Sequence, residues 1–186
     1  RKTSGRVPRW LLPARGLAPK SGLAAITRCG ALVQLSWRGT ISKQSDVRVV
    51  PAAVGTDLLV LDARSSDAGH IAAVVRQRSE MHRNNGAFVA LLEPSQNRRR
   101  RVCEVTTLGF GEPRACDLER SGERVVVAWE GGVTVHAFQG GEPLLARAYA
   151  PVIRCAVRWV PGGDAFLLGG EGSPDWHLLS GLAGSV

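Results

Sequence analysis

One unit is written into this chain more than once. Residues 121–141, SGERVVVAWEGGVTVHAFQGG, are echoed by residues 161–181, PGGDAFLLGGEGSPDWHLLSG, with the tight-turn residues in step and a two-residue slip in the second turn. A third copy, residues 19–37, aligns on residues 121–139 at a constant offset of 102 positions. Each copy has a polar turn, a short apolar strand, a Gly-bearing turn and a second strand. In the first copy these strands are 23–27 and 31–37 around Arg28-Cys29-Gly30, and in the second they are 125–129 and 133–138 around Glu130-Gly131-Gly132. Apolar runs of this length between glycine turns suit buried strands. A unit that cannot bury both faces alone must stack on its neighbours, so recurrence constrains the architecture more tightly than composition does.

A period near forty residues, with several short strands per repeat, predicts a blade of a β-propeller. Upstream of the polar turns, VPRWLLP at 7–13 resembles AVRWVPGG at 156–163. A strand ending in Trp before a Pro/Gly turn is similar to the blade entry of WD-repeat propellers. The resemblance covers about two thirds of the chain, although the Gly-His and Trp-Asp signatures are absent and Asp175-Trp176 is the nearest approach, in reversed order. It implies an all-β fold, a partial or small β-propeller of about four blades built from four-stranded antiparallel sheets, and a non-catalytic scaffold mediating protein–protein assembly. The whole of 1–186 reads as one propeller-like domain or propeller fragment, with its clearest repeats at 7–37, 115–141 and 155–181 and an irregular, strand-rich middle at 46–108. Residues 7–13 and 22–37 together also resemble the propeller of a Mediator tail subunit, a transcription scaffold.

Propellers usually close with roughly four to eight blades. At 186 residues, with Arg1 first and Met81 the sole methionine, the expectation is part of a larger ring whose open edges are covered by a partner or a further segment.

Charge is unevenly placed. Residues 1–45 hold nine Lys/Arg and no acid, 46–101 hold nine against six, and 102–186 hold six against ten. The basic half suits an acidic partner protein or nucleic acid. Its compositional counterpart is that Arg outnumbers Lys 21 to 3 in an Ala- and Gly-rich chain, as in many GC-rich coding sequences. Cys29, Cys103, Cys116 and Cys155 are widely spaced and lack CxxC pairing, which reads as small buried hydrophobes in a reducing compartment. No apolar run is long enough to span a membrane, and there is neither a secretory core nor an Asn-x-Ser/Thr acceptor. An intracellular protein is expected, nuclear before mitochondrial, and not secreted.

Within the middle, 46–50, 56–63, 70–78, 86–93 and 102–108 read as strands, 64–69 as a turn, and Asn84-Asn85-Gly86 as a hairpin. Gln96 to Arg101 then read as a connecting loop. Its four arginines, Arg98, Arg99, Arg100 and Arg101, have three readings: a solvated loop, an import signal, or a contact to phosphate or an acidic partner. No aromatic is interleaved to stack bases.

Catalytic patterns are missing. Gly109-Phe110-Gly111 lacks the third glycine and helix of a phosphate loop. His70, His82, His136 and His177 fall in four different elements without metal-ligand spacing, although His136 and His177 occupy nearly equivalent repeat positions. Glu119, Glu123 and Glu130 read as turn and strand-end solvation. Trp10, Trp37, Trp129, Trp159 and Trp176 read as blade-packing residues. No catalytic residue, cofactor, metal or small-molecule substrate is expected. The alternative to the protein scaffold is a basic nucleic-acid- or ribosome-associated protein using residues 1–45 and the four arginines, and a third reading is an enzyme with its site in a propeller funnel.

Overall fold

A computed structural model describes residues 8–12, 23–27, 29–35, 41–50, 56–79, 86–93, 96, 98–102, 109–149, 155–162, 164–170 and 176–180. Every regular element among them is a β-strand. Blade one contains β1 (Pro8–Leu12), β2 (Leu23–Thr27), β3 (Ala31–Leu35) and β4 (Ile41–Arg48); blade two contains β5 (Thr56–Ser65), β6 (Ile71–Ser79), β7 (Gly86–Glu93) and β8 (Arg98–Val102). Blade three contains β9 (Pro113–Leu118), β10 (Arg124–Trp129), β11 (Gly132–Ala137) and β12 (Leu145–Ala148); blade four contains β13 (Cys155–Trp159), β14 (Ala165–Gly170) and β15 (Trp176–Ser180). Each sheet is an antiparallel meander whose spatial order follows the chain.

The blades stack through their first strands, β1 against β5, β5 against β9, and β9 against β13. Three apolar cores fill the gaps. Ile26, Leu32, Val60, Ile71, Phe88 and Leu92 lie between blades one and two. Val74, Leu91, Cys116, Val125, Val127 and Trp129 lie between two and three. Val126, Val133, Val135, Val157, Phe166 and Leu168 lie between three and four. Blades two and three thus bury both faces of their middle strands, which is why β6, β7 and β10 carry long apolar runs instead of strict alternation.

The repeat read from sequence is correct in its strands and shifted by one residue in its register. Sequence alignment sets Val125 against Ala165. In the fold, Glu119 N–H bonds Arg124 O as Val160 N–H bonds Ala165 O, and Leu118 faces Val125 as Trp159 faces Phe166. Val125 therefore corresponds to Phe166, and Val126 to Leu167. A one-residue slip exchanges the two faces of a strand, so this correction decides which side chains meet blade three. It also separates the histidines: His136 faces Val125, whereas the residue facing Phe166 is Leu179, and His177 faces Leu168.

In the middle, β4 starts earlier than the apolar 46–50 run because its polar ISKQS half occupies the outer edge of a blade, where no apolar face is needed. Asn84, Asn85 and residues 103–108 lie outside the described residues.

Candidate functional site

The turns joining the first two strands of blades two, three and four gather at one rim. There a cleft of about 630 Å³ is bounded by Ser66 and Asp67, by the 117–121 segment, and by Trp159 to Gly162 with Asp164. Residues more than ninety positions apart meet because each blade contributes the same turn. Gly122 (φ 82°) makes the close approach possible: a Cβ there would lie 2.6 Å from His70 Nδ1 and from Ser66 Oγ. His70 Nδ1–H instead donates to Gly122 O at 2.9 Å, and its ring stacks on Phe138 at 4.2 Å.

Ion pairs bridge the blades along this rim. Arg120 Nε meets Asp67 at 2.6 Å across blades two and three. Arg124 holds Glu119 through two bonds of 2.8 and 2.7 Å and reaches Asp164 of blade four at 2.5 Å. The Arg124 hydrogen bond keeps the Glu119 carboxyl below the usual range. Deeper in, Asp117 accepts from Trp159 N–H at 2.9 Å and Leu118 N–H at 3.0 Å, while burial pushes its pKa up. Asp62 on β5 accepts from Cys116 N–H at 3.4 Å. Carboxylates on the inner strands thus take up backbone donors of the following blade. Charged side chains line the cleft, and among the described residues no three His, Cys, Asp or Glu are arranged to hold a metal.

The four arginines are not a loop. They form β8, the outer edge of blade two, paired from Glu93↔Arg98 to Val89↔Val102. Strand pairing there needs only a neighbour, not an apolar face, so charge hid the strand from a hydrophobicity reading. Side chains alternate toward the two adjoining blades. Arg99 Nε donates to Arg48 O of blade one at 2.9 Å, and Arg100 donates to Gln139 of blade three at 3.1 Å. Arg101 lies 3.6 Å above the Phe88 ring, and Arg98 is exposed. Arg98 to Arg101 lie on this edge, apart from the rim cleft.

Other sequence readings divide. Trp129 is buried, its indole N–H donating to Thr134 Oγ1 at 2.7 Å, and Thr134 Oγ1 lies 2.8 Å from His136 Nε2. Burial lowers the His136 pKa to about 4, so the ring is neutral at pH 7 and can accept the threonine proton. Trp159 packs edge-on against Phe166. Trp176 departs from the packing expectation, because 50% of it is exposed. Trp10 lies on β1, and Trp37 is outside the described residues. Cys116 is fully buried, which raises its thiol pKa well above normal. Glu119 and Glu130 do more than solvate turns: Glu130 pairs with Arg114 and accepts from Glu112 N–H. Glu123 is exposed. Asp67, Asp117 and Asp164 were not singled out in sequence; the recurring first-to-second-strand turn was the signal that could have found them.

Many solved chains are similar to this one, three of them as follows. A complex of KlAtg21 with the coiled coil of AgAtg16 matches at a TM-score of 0.58 and 10% identity, over 88% of this chain and 51% of that one. The Dos1 propeller matches at 0.55 and 12%, over 86% and 40%. The fold is that of a β-propeller. Hsv2p of Kluyveromyces lactis agrees, at 0.55 and 12% identity, over 93% of this chain and 49% of that one. The chain spans about half the length of these propellers, which accord with a divergent propeller of WD-repeat type. No protein-family model matches the chain, nor does any curated protein. Among the described residues, no helix is long and apolar enough to cross a membrane.

Proposed function

We propose that residues 1–186 act as one propeller unit and serve as a non-catalytic scaffold that holds other proteins in a larger assembly. The carrying observation is the far face of blade four. Leu167, Gly169, Trp176 and Leu178 line the side turned away from blade three, with Trp176 exposed to 50% and Leu178 to 65%. The matching positions of blade three, Val126, Ala128, Val133 and Val135, are sealed by blade four. Among the described residues nothing seals this apolar face where the matching face of blade three is covered, and such a surface is the kind that marks protein association. A similar propeller is seen with a coiled coil of another protein, which supports a role in protein binding.

The test is isolation from the native source after nuclease and a high-salt wash. The wild-type chain should retain stoichiometric protein partners, and a Trp176→Ser, Leu178→Asp variant that melts like wild type should lose most of them. Isolation of the wild type as a lone monomer would overturn the reading.

The second reading, phosphate contact by residues 1–45 and the four arginines, is favoured by one observation. Among the described residues, Arg98, Arg99, Arg100 and Arg101 have no carboxylate within ion-pairing distance, whereas Arg64, Arg76, Arg114, Arg120 and Arg124 all do. That reading requires affinity to fall steeply as salt rises.

A further inference from the structure

We propose that the outer edge of β8 receives an acidic, extended segment of a partner protein as a fifth strand of blade two. This rests on the assembly reading and names the chemistry of one partner. Among the described residues β8 is last in its sheet and has a strand on one side only, so alternate backbone N–H and C=O groups point outward. Such an edge is a template for strand addition, in which main-chain bonds supply affinity and side chains supply selectivity.

The side chains here are four consecutive arginines with no carboxylate partner among the described residues. Three are held in place by other contacts: Arg99 on the Arg48 carbonyl, Arg100 on Gln139, and Arg101 over Phe88. Their guanidinium groups are therefore positioned without being neutralised. Like charge repels a second copy of this same edge, and opposite charge on an incoming strand is attracted at cross-strand distance. The other outer edges differ: β4 sets Lys43 and Arg48 against Asp46, β12 carries Arg147 as its one charge, and β15 presents Trp176 and Leu178. Selection for an acidic strand belongs to β8.

An extended peptide is favoured over single-stranded nucleic acid by the state of Phe88. This ring lies beneath Arg101 with 4% exposure and so offers no platform for base stacking.

The probes are a capped nine-residue peptide alternating Glu with Val, a control of equal charge with Pro in place of Val, and a single-stranded oligonucleotide of matched charge. Proline cannot donate to a ladder and is excluded from a paired strand. The Glu/Val peptide should bind at least about tenfold tighter than the Glu/Pro control, and Arg98→Glu should weaken it by about tenfold. Amide exchange in β8 should slow when the peptide is added. Arg98 is exposed and stands opposite Glu93, so the like-charge pair that Arg98→Glu creates should cost little stability, and Arg98→Gln, which avoids it, should melt like wild type and still weaken the peptide; Arg98→Glu, Arg101→Glu serves as the stronger test. Equal binding of the Glu/Pro control would overturn strand addition, unchanged affinity in the Arg98 variant would overturn the site, and tighter binding of the oligonucleotide would assign the edge to nucleic acid. Each of these results leaves partner retention through Trp176 and Leu178 untouched, so failure here is distinct from failure of the assembly reading.

Discussion

Blades three and four share their hairpin closures and their apolar pattern, yet among the described residues one is sealed on both faces and the other on one. Val135 and Leu178 occupy the same place in the repeat: each faces, across its hairpin, the residue after the first inward one, Val126 and Leu167 respectively. Val135 is 0% exposed and Leu178 is 65% exposed. Burial here is a property of the neighbour, not of the strand. A propeller blade is stable to the extent that something stacks on it, and the unstacked face is where association has most to gain.

Matched substitutions are the most direct way to break this contrast. Val135→Asp places an uncompensated charge in the core between blades three and four and should cost more than about 4 kcal/mol in urea unfolding. Leu178→Asp should change stability by less than about 0.5 kcal/mol in the isolated chain. If the two variants lose stability equally, the far face of blade four is covered in solution and the contrast is wrong.

Phe166 sharpens it next. It is fully buried against Trp159 and blade three, so Phe166→Ala should cost about 3–5 kcal/mol, a large loss for the fourth blade's docking. Hydrogen exchange would show whether the loss is confined to blade four.

The two histidines supply a pH test. His136 titrates near 4 in the fold against an ordinary value of 6.5. Between those values the unfolded chain binds more protons than the native one, so stability rises with pH. The His136 contribution should lower stability by roughly 2–3 kcal/mol from pH 7 to pH 4 and fade out above about pH 7. A His136→Gln variant should lose this slope and a His177→Gln variant should keep it, because His177 is exposed.

Smallest is the rim. Arg124→Gln removes the paired bonds to Glu119 and the bridge to Asp164 and should cost about 1 kcal/mol, while Asp164→Asn, exposed on its side of the pair, should cost no more than about 0.5 kcal/mol.

Much of the fold was legible along the chain. β2, β3, β10, β11 and β14 were visible because apolar runs between glycine turns can hardly be anything but buried strands. β8 was not, because an edge strand needs no apolar face and four arginines look like a loop. Register was lost by one residue, since turn composition marks where a hairpin bends without counting which residues pair. The rim cleft was invisible for a different reason: Asp67, Asp117 and Asp164 come from three blades, and no spacing in the chain connects them.

What the sequence alone determined is recurrence: strand-forming runs at a propeller period, enough to require blades stacked on blades. Only the tertiary structure decided which face each side chain takes, that the arginine run is an edge, and that Leu178 is open where Val135 is closed. Local pattern sets the propensity of a strand, but facing and exposure depend on pairing partners and on the next blade, which are far away in the chain.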